Sequence, residues 1–285
     1  MVQVQWFPGH MAKTRRLITE NLKLVDVVLE LADARVPESS RNPLLEELIG
    51  AKPRLLILAK KDLADEKSTK EWTKHFLNRG IPVIPVNSIL SIRQPKKIII
   101  EEIRKQAQAV LERRTRRGIL STTVRTMVVG IPNVGKSTLI NFLAGKGAAE
   151  TGDKPGVTRG KQWIRLDKDV ELLDMPGILW AKIDDVEVGN KLAATGAVSD
   201  LVFDRVELAL WLITWFLANY PGRLAARYKI AEDLTAHELL NQISKKRRFI
   251  KSGGAPDCEK GAIMMIDEFR AGKLGTVTMD TIPPQ

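Results

Sequence analysis

Residues Gly130-Ile131-Pro132-Asn133-Val134-Gly135-Lys136-Ser137 match G-x-x-x-x-G-K-[ST] at every fixed position. This pattern constrains the fold because it works only as the loop between a buried strand and the helix that follows it. Both flanks agree: Val124 to Val129 read as a strand, and Ser137 to Leu143 read as the opening of a helix. Gly130 and Gly135 allow the backbone to curl so that its N–H groups point at phosphate oxygens, and the helix N-terminus adds positive partial charge there. Val134, Gly135, Lys136, Ser137 and Thr138 are the candidate phosphate contacts, with Lys136 neutralising the β- and γ-phosphates and Ser137 ligating Mg²⁺. The position is unusual. The loop occupies residues 130–137 of a 285-residue chain, whereas nucleotidases of this class mostly carry it near the N-terminus.

Strand and helix signals alternate up to residue 173. Strands are expected at 25–31, 54–59 and 82–86, before the loop, and at 161–166 and 170–173, after it. Helices are expected at 12–24, 66–78 and 95–113, with a short one opening at Pro43 behind the cap residue Asn42. The alternation implies an α/β fold with a mostly parallel sheet. Residues 32–37 read as a polar loop, and 151–159, rich in Gly, Pro and charge, as a mobile segment. Beyond residue 179 the strand signals stop, and helices are expected at 185–195, 205–219, 222–229, 235–248 and 258–271. The expected domains are 1–180, carrying the phosphate loop, and 181–285, all helical, with a tail from Gly275 that is extended or frayed.

Composition narrows the partners. Lys and Arg total 45 against 34 Asp and Glu, a net charge of +11. Basic runs at Arg113-Arg114-Thr115-Arg116-Arg117 and Lys245-Lys246-Arg247-Arg248, with Lys251 close by, favour a polyanionic partner such as nucleic acid over general solubility. A single cysteine, Cys258, excludes a disulfide framework and a Cys-based zinc module, and fits a reducing cytoplasm. The N-terminus lacks a secretory signal, and the longest apolar run, Leu208 to Ala218, is too short to span a bilayer, so no membrane partner is expected.

Four further stretches specify the nucleotide. Asp174-Met175-Pro176-Gly177 ends a strand downstream of the loop, where Asp174 can hold Mg²⁺ through water and the Gly177 N–H can meet the γ-phosphate. Thr158 lies between the two and could ligate Mg²⁺ when the γ-phosphate is present. Lys60-Lys61-Asp62 follows an apolar strand. A carboxylate there accepts from the N1–H and 2-amino group of guanine, a pair that adenine lacks, and the lysine stem can lie along the base. Asn87-Ser88, at the next strand end, can add a backbone N–H to the guanine O6. Taken together these resemble the five guanine-nucleotide motifs of a GTPase, with the base-reading motifs placed before the phosphate loop instead of after it.

This order, with Trp6-Phe7-Pro8-Gly9-His10-Met11-Ala12-Lys13, Asp33-Ala34-Arg35-Val36-Pro37 and a basic helical C-terminus, resembles the bacterial ribosome biogenesis GTPase A family (YlqF/RbgA type) over essentially the whole chain. The resemblance implies a circularly permuted GTPase that uses GTP/GDP and Mg²⁺. It implies cytoplasmic work in late assembly of the large ribosomal subunit, binding to its rRNA, and stimulation by ribosomal particles. It also implies that Asn133 coordinates K⁺ and that His10 contributes to hydrolysis. The chemistry of the N-terminus alone favours a different role, an anchor packed on the core with His10 a bystander. No DNA partner is expected, and the sequence is silent on oligomeric state.

Two other readings stay open. One is a permuted GTPase of the small subunit, although the single cysteine and an N-terminus that begins at Trp6 argue against the modules such relatives carry. The other is a nucleotide-binding RNA scaffold without useful hydrolysis. Ile178 allows it, since that residue follows D-x-x-G where Ras-like GTPases have a water-orienting glutamine. The expectation is slow turnover that RNA or ribosomal particles accelerate. Ala59 stands where the family pattern Asn-Lys-x-Asp has asparagine, so one contact to guanine and to the neighbouring loops is lost. Restoring it by Ala59→Asn should tighten GDP binding by about 1 kcal/mol, the worth of one hydrogen bond. Calorimetric titration checks this, and unchanged affinity contradicts it.

Overall fold

The computed structural model describes residues 8–88, 93–145, 163–173, 183 and 185–283, with side chains described from residue 15 onward except over 93–95. The sheet consists of β1 (Val27–Asp33), β2 (Arg54–Ala59), β3 (Val83–Pro85), β4 (Val124–Gly130), β5 (Trp163–Asp167) and β6 (Val170–Leu173). Around it lie α1 (Pro8–Leu22), α2 (Pro43–Ile49), α3 (Glu66–Asn78), α4 (Arg93–Arg116) and α5 (Lys136–Ala144).

The strand order is β3-β2-β1-β4-β6-β5, parallel throughout except for the β5–β6 pair. β1 is buried along its whole length, as expected for a strand covered on both faces of a parallel sheet. Its neighbours supply Leu56, Leu58, Met127 and Val129, which pack with α1, α2 and α3 in two apolar clusters. α4 packs along β2, β1 and β4.

From β1 the chain moves outward through β2 and β3. It then returns through α4 to β4, on the other side of β1, and β6 and β5 extend that side. Strand order therefore reverses between β1 and β4. In an open α/β sheet, ligands bind outside the carboxyl ends of the strands at such a point. Here those ends are Asp33, Ala59 and Gly130. The phosphate-loop strand comes fourth in the chain and is nonetheless central in the sheet, which is the arrangement of a GTPase domain in permuted order.

Side chains fix the helix starts. Asn42 accepts from the Leu44 N–H, with Pro43 in the first turn, and Asp65 accepts from the Ser68 N–H at the start of α3. The second compact unit contains α6 (Val186–Ala194), α7 (Arg205–Asn219), α8 (Arg223–Tyr228), α9 (Ala236–Lys246) and α10 (Cys258–Arg270). Asp185, Asp204, Thr235 and Asp257 cap four of these helices, and Thr235 forms a capping box with Glu238. α7 is the central helix. Its Phe216 meets Phe269 of α10 edge to face at 6.0 Å, and Leu239 and Ile243 of α9 complete the core. Among the described residues, no helix is long and apolar enough to cross a membrane.

Of the two forms expected for the tail, extended or frayed, the described residues take the extended one. The segment is also docked. Residues 278–283 pack with the sheet unit, not with the helical unit that ends at Val277, and Val277, Thr278 and Met279 are buried.

Candidate functional site

β4 runs into the phosphate loop through Gly130. A Cβ there would sit 2.7 Å from the Leu31 carbonyl oxygen, so the close approach of β4 to β1 requires glycine. At the other end of the loop Gly135 adopts φ +110° and begins α5 with no side-chain cap. The first-turn N–H groups of α5 thus face the loop without a capping carboxylate or hydroxyl. Lys136 is buried at the base of the loop, where its Nζ donates to the Ile131 carbonyl (2.7 Å) and the Gly130 carbonyl (3.3 Å). Asn133, Ser137 and Thr138 are exposed, and Asn133 takes the left-handed φ of +56°.

The residues expected to read the base meet this loop from the β2 side. Lys60 leaves β2 with φ +61°, and its Nζ donates to the Asn133 carbonyl at 2.9 Å. Asp62 sits in a single 3-10 turn, Lys61–Leu63, and its Oδ1 accepts from the backbone N–H (2.6 Å) and hydroxyl (2.9 Å) of Ser88. Of the Asn87-Ser88 pair expected to offer a backbone N–H to guanine O6, Ser88 gives its N–H to the Asp62 carboxylate and orients it. Lys61 donates its N–H to the Val86 carbonyl at 2.9 Å, joining this turn to the strand end before Asn87. Lys60, Asn87, Ser88, Asn133, Val134, Gly135 and Thr138 line one cleft of about 250 Å³. Ala59 lines it too, and a Cβ on Gly135 would lie 3.9 Å from the Ala59 Cβ, so a longer residue at position 59 would extend towards the phosphate loop.

Asp33 and Arg35, expected in a polar loop and singled out only for the family resemblance, form a buried ion pair. Residues 33–37 are buried throughout, and both side chains are 2% exposed. Arg35 donates to Asp33 through Nε (2.9 Å) and Nη2 (2.7 Å), and Lys60 Nζ lies 3.0 Å from Asp33 Oδ2. Burial alone would push the Asp33 carboxyl up. Arg35 and Lys60 outweigh it and hold the group well below the usual carboxylate range. The available signal was local: a carboxylate closing a wholly buried strand, with an arginine two residues later. On the same strand, buried Glu30 pairs with buried Arg41 at 3.0 Å.

The basic runs are sorted by what they touch. Arg114 donates to Asp26 and to the Thr123 carbonyl, so it braces the foot of the sheet. Arg247 donates to Glu268 at 3.2 Å and lies over the Tyr228 ring. Arg113, Arg116, Arg117, Lys245, Lys246, Arg248 and Lys251 are exposed. His10 lies on α1, but its side chain falls outside the described residues, as do Thr158, Asp174, Gly177 and Ile178. Among the described residues no group of three or more His, Cys, Asp or Glu could hold a metal by itself. The exposed Ser137 hydroxyl in the first turn of α5 fits a Mg²⁺ ion that takes most of its ligands from phosphate and water.

A family model for a 50S ribosome-binding GTPase matches residues 125–250. The match opens one residue into β4 and leaves out residues 1–124, which carry the stretches expected to read the base. The chain is similar to ribosome biogenesis GTPase A of Bacillus cereus, at 46% identity over 98% of this chain and 94% of that one. It is also similar to ribosome biogenesis GTPase A of Bacillus licheniformis, at 44% over 97% and 98%. Among solved structures, the GDP-bound structure of TM YlqF superposes with a TM-score of 0.70 at 28% identity, covering 93% of this chain and 98% of that one.

The depressed Asp33 carboxyl fixes the sign of a pH effect. Its contribution to stability is complete above the unfolded value near 4 and is lost as pH falls further, because protonation breaks the pairing with Arg35 and Lys60. Asp33→Asn should therefore cost about 3–5 kcal/mol at neutral pH, with a buried guanidinium left uncompensated. That difference from wild type should shrink below about pH 4. Denaturant unfolding across pH measures it, and a difference that does not change with pH contradicts the assignment.

Proposed function

The chain belongs to the ribosome biogenesis GTPase A family and is a GTPase acting in ribosome assembly, and from that premise we propose that it serves the late large subunit by binding rRNA in a nucleotide-dependent way. The observation that carries the reading is the cleft at the β1–β4 reversal, where Lys60 donates to the phosphate loop and Ser88 orients Asp62.

In this reading Asp62 accepts from guanine, the stems of Lys60 and Lys61 and the Asn87-Ser88 strand end flank the base, and the N–H groups of residues 133–138 hold phosphates. Lys136 balances the charge that grows on the β–γ bridging oxygen as the bond to GDP breaks. Ser137, Thr158 and Asp174 would hold Mg²⁺ and Asn133 would hold K⁺. These cations supply charge neutralisation at the phosphates. Gly177 meets the γ-phosphate, and His10 contributes to hydrolysis in place of the side chain that Ile178 lacks. Lys245, Lys246, Arg248 and Lys251 take rRNA phosphates, with affinity that falls as salt rises. The place of action is the cytoplasm. The domains divide near residue 180, with the helical part as the RNA-binding one.

GTP hydrolysis in KCl against NaCl, with and without purified large subunits, tests the reading. Turnover should be slow alone, faster in KCl, and raised by about tenfold or more by large subunits, with small subunits without effect. Fast turnover that ignores both additions contradicts it, and no hydrolysis under any condition points to a scaffold.

A further inference from the structure

Residues 278–282 contact the loops that follow β1 and β2. Met279 donates its N–H to the Arg35 carbonyl at 2.7 Å. Asp280 Oδ2 accepts from the backbone N–H groups of Glu38 (2.9 Å) and Ser39 (2.8 Å), and its Oδ1 accepts from the Ser39 hydroxyl at 2.6 Å. The Thr278 hydroxyl lies between two loops, accepting from the Asp65 N–H at 3.2 Å and donating to the Ala34 carbonyl at 3.5 Å. Trp72 of α3, itself buried, donates to the Asp280 carbonyl at 3.4 Å, and Ile282 packs on the same apolar cluster as Trp72.

These partners share one property. Residues 34–39 form the loop that follows β1, and Asp65 comes three residues after Asp62 in the turn that follows β2. Both loops stand at the carboxyl ends of the strands that flank the nucleotide cleft. The first is tied to the reading residues by a continuous path. Ser40 offers its hydroxyl to the Asp33 N–H at 2.8 Å, Asp33 faces Lys60 at 3.0 Å, and Lys60 donates to Asn133 of the phosphate loop at 2.9 Å. A carboxylate that accepts three bonds from consecutive residues of a loop restricts that loop far more than a lone surface contact does.

We propose that Thr278–Asp280 is a positioning strap for the guanine nucleotide: by clamping the 34–39 loop it holds Asp33 beneath Lys60, and so sets how long nucleotide stays bound. The strap lies directly after Val277, the last residue of the helical unit, so the segment most distant in sequence from the base-reading motif becomes part of its support. Asp280 and Ser39 touch no nucleotide in this account, and act through Asp33 and Lys60.

The test is the release rate of a fluorescent GDP analogue from the full chain. It uses wild type, Asp280→Ala and Ser39→Ala, each also in a Lys60→Ala background, with the melting midpoint recorded alongside. Asp280→Ala should speed release by about tenfold, and Ser39→Ala, which removes one hydroxyl, by about twofold to threefold. In the Lys60→Ala background both factors should fall below about twofold, because the strap acts through that lysine. Release unchanged by either substitution overturns the proposal, and so does the same factor in both backgrounds, which would mark a general loss of stability. If Asp280→Ala does not fold, the Ser39→Ala pair decides alone. The proposal rests on the guanine-nucleotide reading. Wild type that holds ADP as firmly as GDP would defeat that reading, a result distinct from unchanged release in the variants.

Discussion

The parallel ladder between β1 and β4 sets Leu31 opposite Gly130, so close that a Cβ on Gly130 would strike the Leu31 carbonyl. Everything at the nucleotide cleft follows from that approach. It brings the end of the strand before the buried Asp33-Arg35 pair beside the start of the phosphate loop. It also leaves β2 near enough for Lys60 to reach the Asn133 carbonyl. Lys60–Asp62 and the phosphate loop are separated by the whole of α3, β3 and α4 in the chain, yet one ladder and one lysine bond join them. Permutation is tolerated for the same reason: a sheet is defined by which strands pair, and the cleft depends on the pairing and not on where the chain begins.

The interior next to the cleft is charged, which is expensive unless each group is matched. Glu30 and Asp33 lie on a strand with no exposed residue, and each is met by an arginine from the loop that follows, Arg41 and Arg35. Such pairs are weak sources of net stability, since desolvation offsets most of the attraction, but losing one partner is severe. Their use here is geometric. A bidentate guanidinium fixes the direction of the Asp33 carboxylate, and that carboxylate in turn holds the ammonium of Lys60 at the edge of the cleft.

What the sequence made legible was local. The phosphate loop, the Asn42-Pro43 start of α2, the span of α3 from Glu66 to Asn78 and the span of α7 from Arg205 to Asn219 all follow from spacing and capping residues a few positions apart. The permuted architecture was legible from the order of motifs. Contacts between distant residues were not. Residues 33–37 read as a polar loop because their charges are visible and their burial is not: the segment is covered from the far end of the chain, where Met279 bonds to Arg35. Arg114 resembled a member of a free basic run until its partner, Asp26, was seen across the sheet. The tail read as extended or frayed, with no docking site, because Pro-Pro and small residues carry no periodic signal, while Asp280 gains its order from Glu38 and Ser39.

We propose that one carboxylate, Asp62, held by Ser88 at the edge of a cleft built on the β1–β4 reversal, selects guanine. Competition of GDP, ADP and XDP against a labelled GDP on wild type and Asp62→Asn tests it most directly. An amide at position 62 replaces an acceptor by a donor opposite the base edge, which suits the carbonyl of xanthine. Wild type should prefer GDP to ADP by about two orders of magnitude, and Asp62→Asn should lose this preference and gain affinity for XDP. Equal binding of GDP and ADP by wild type, or a variant that keeps its preference for GDP, would contradict it.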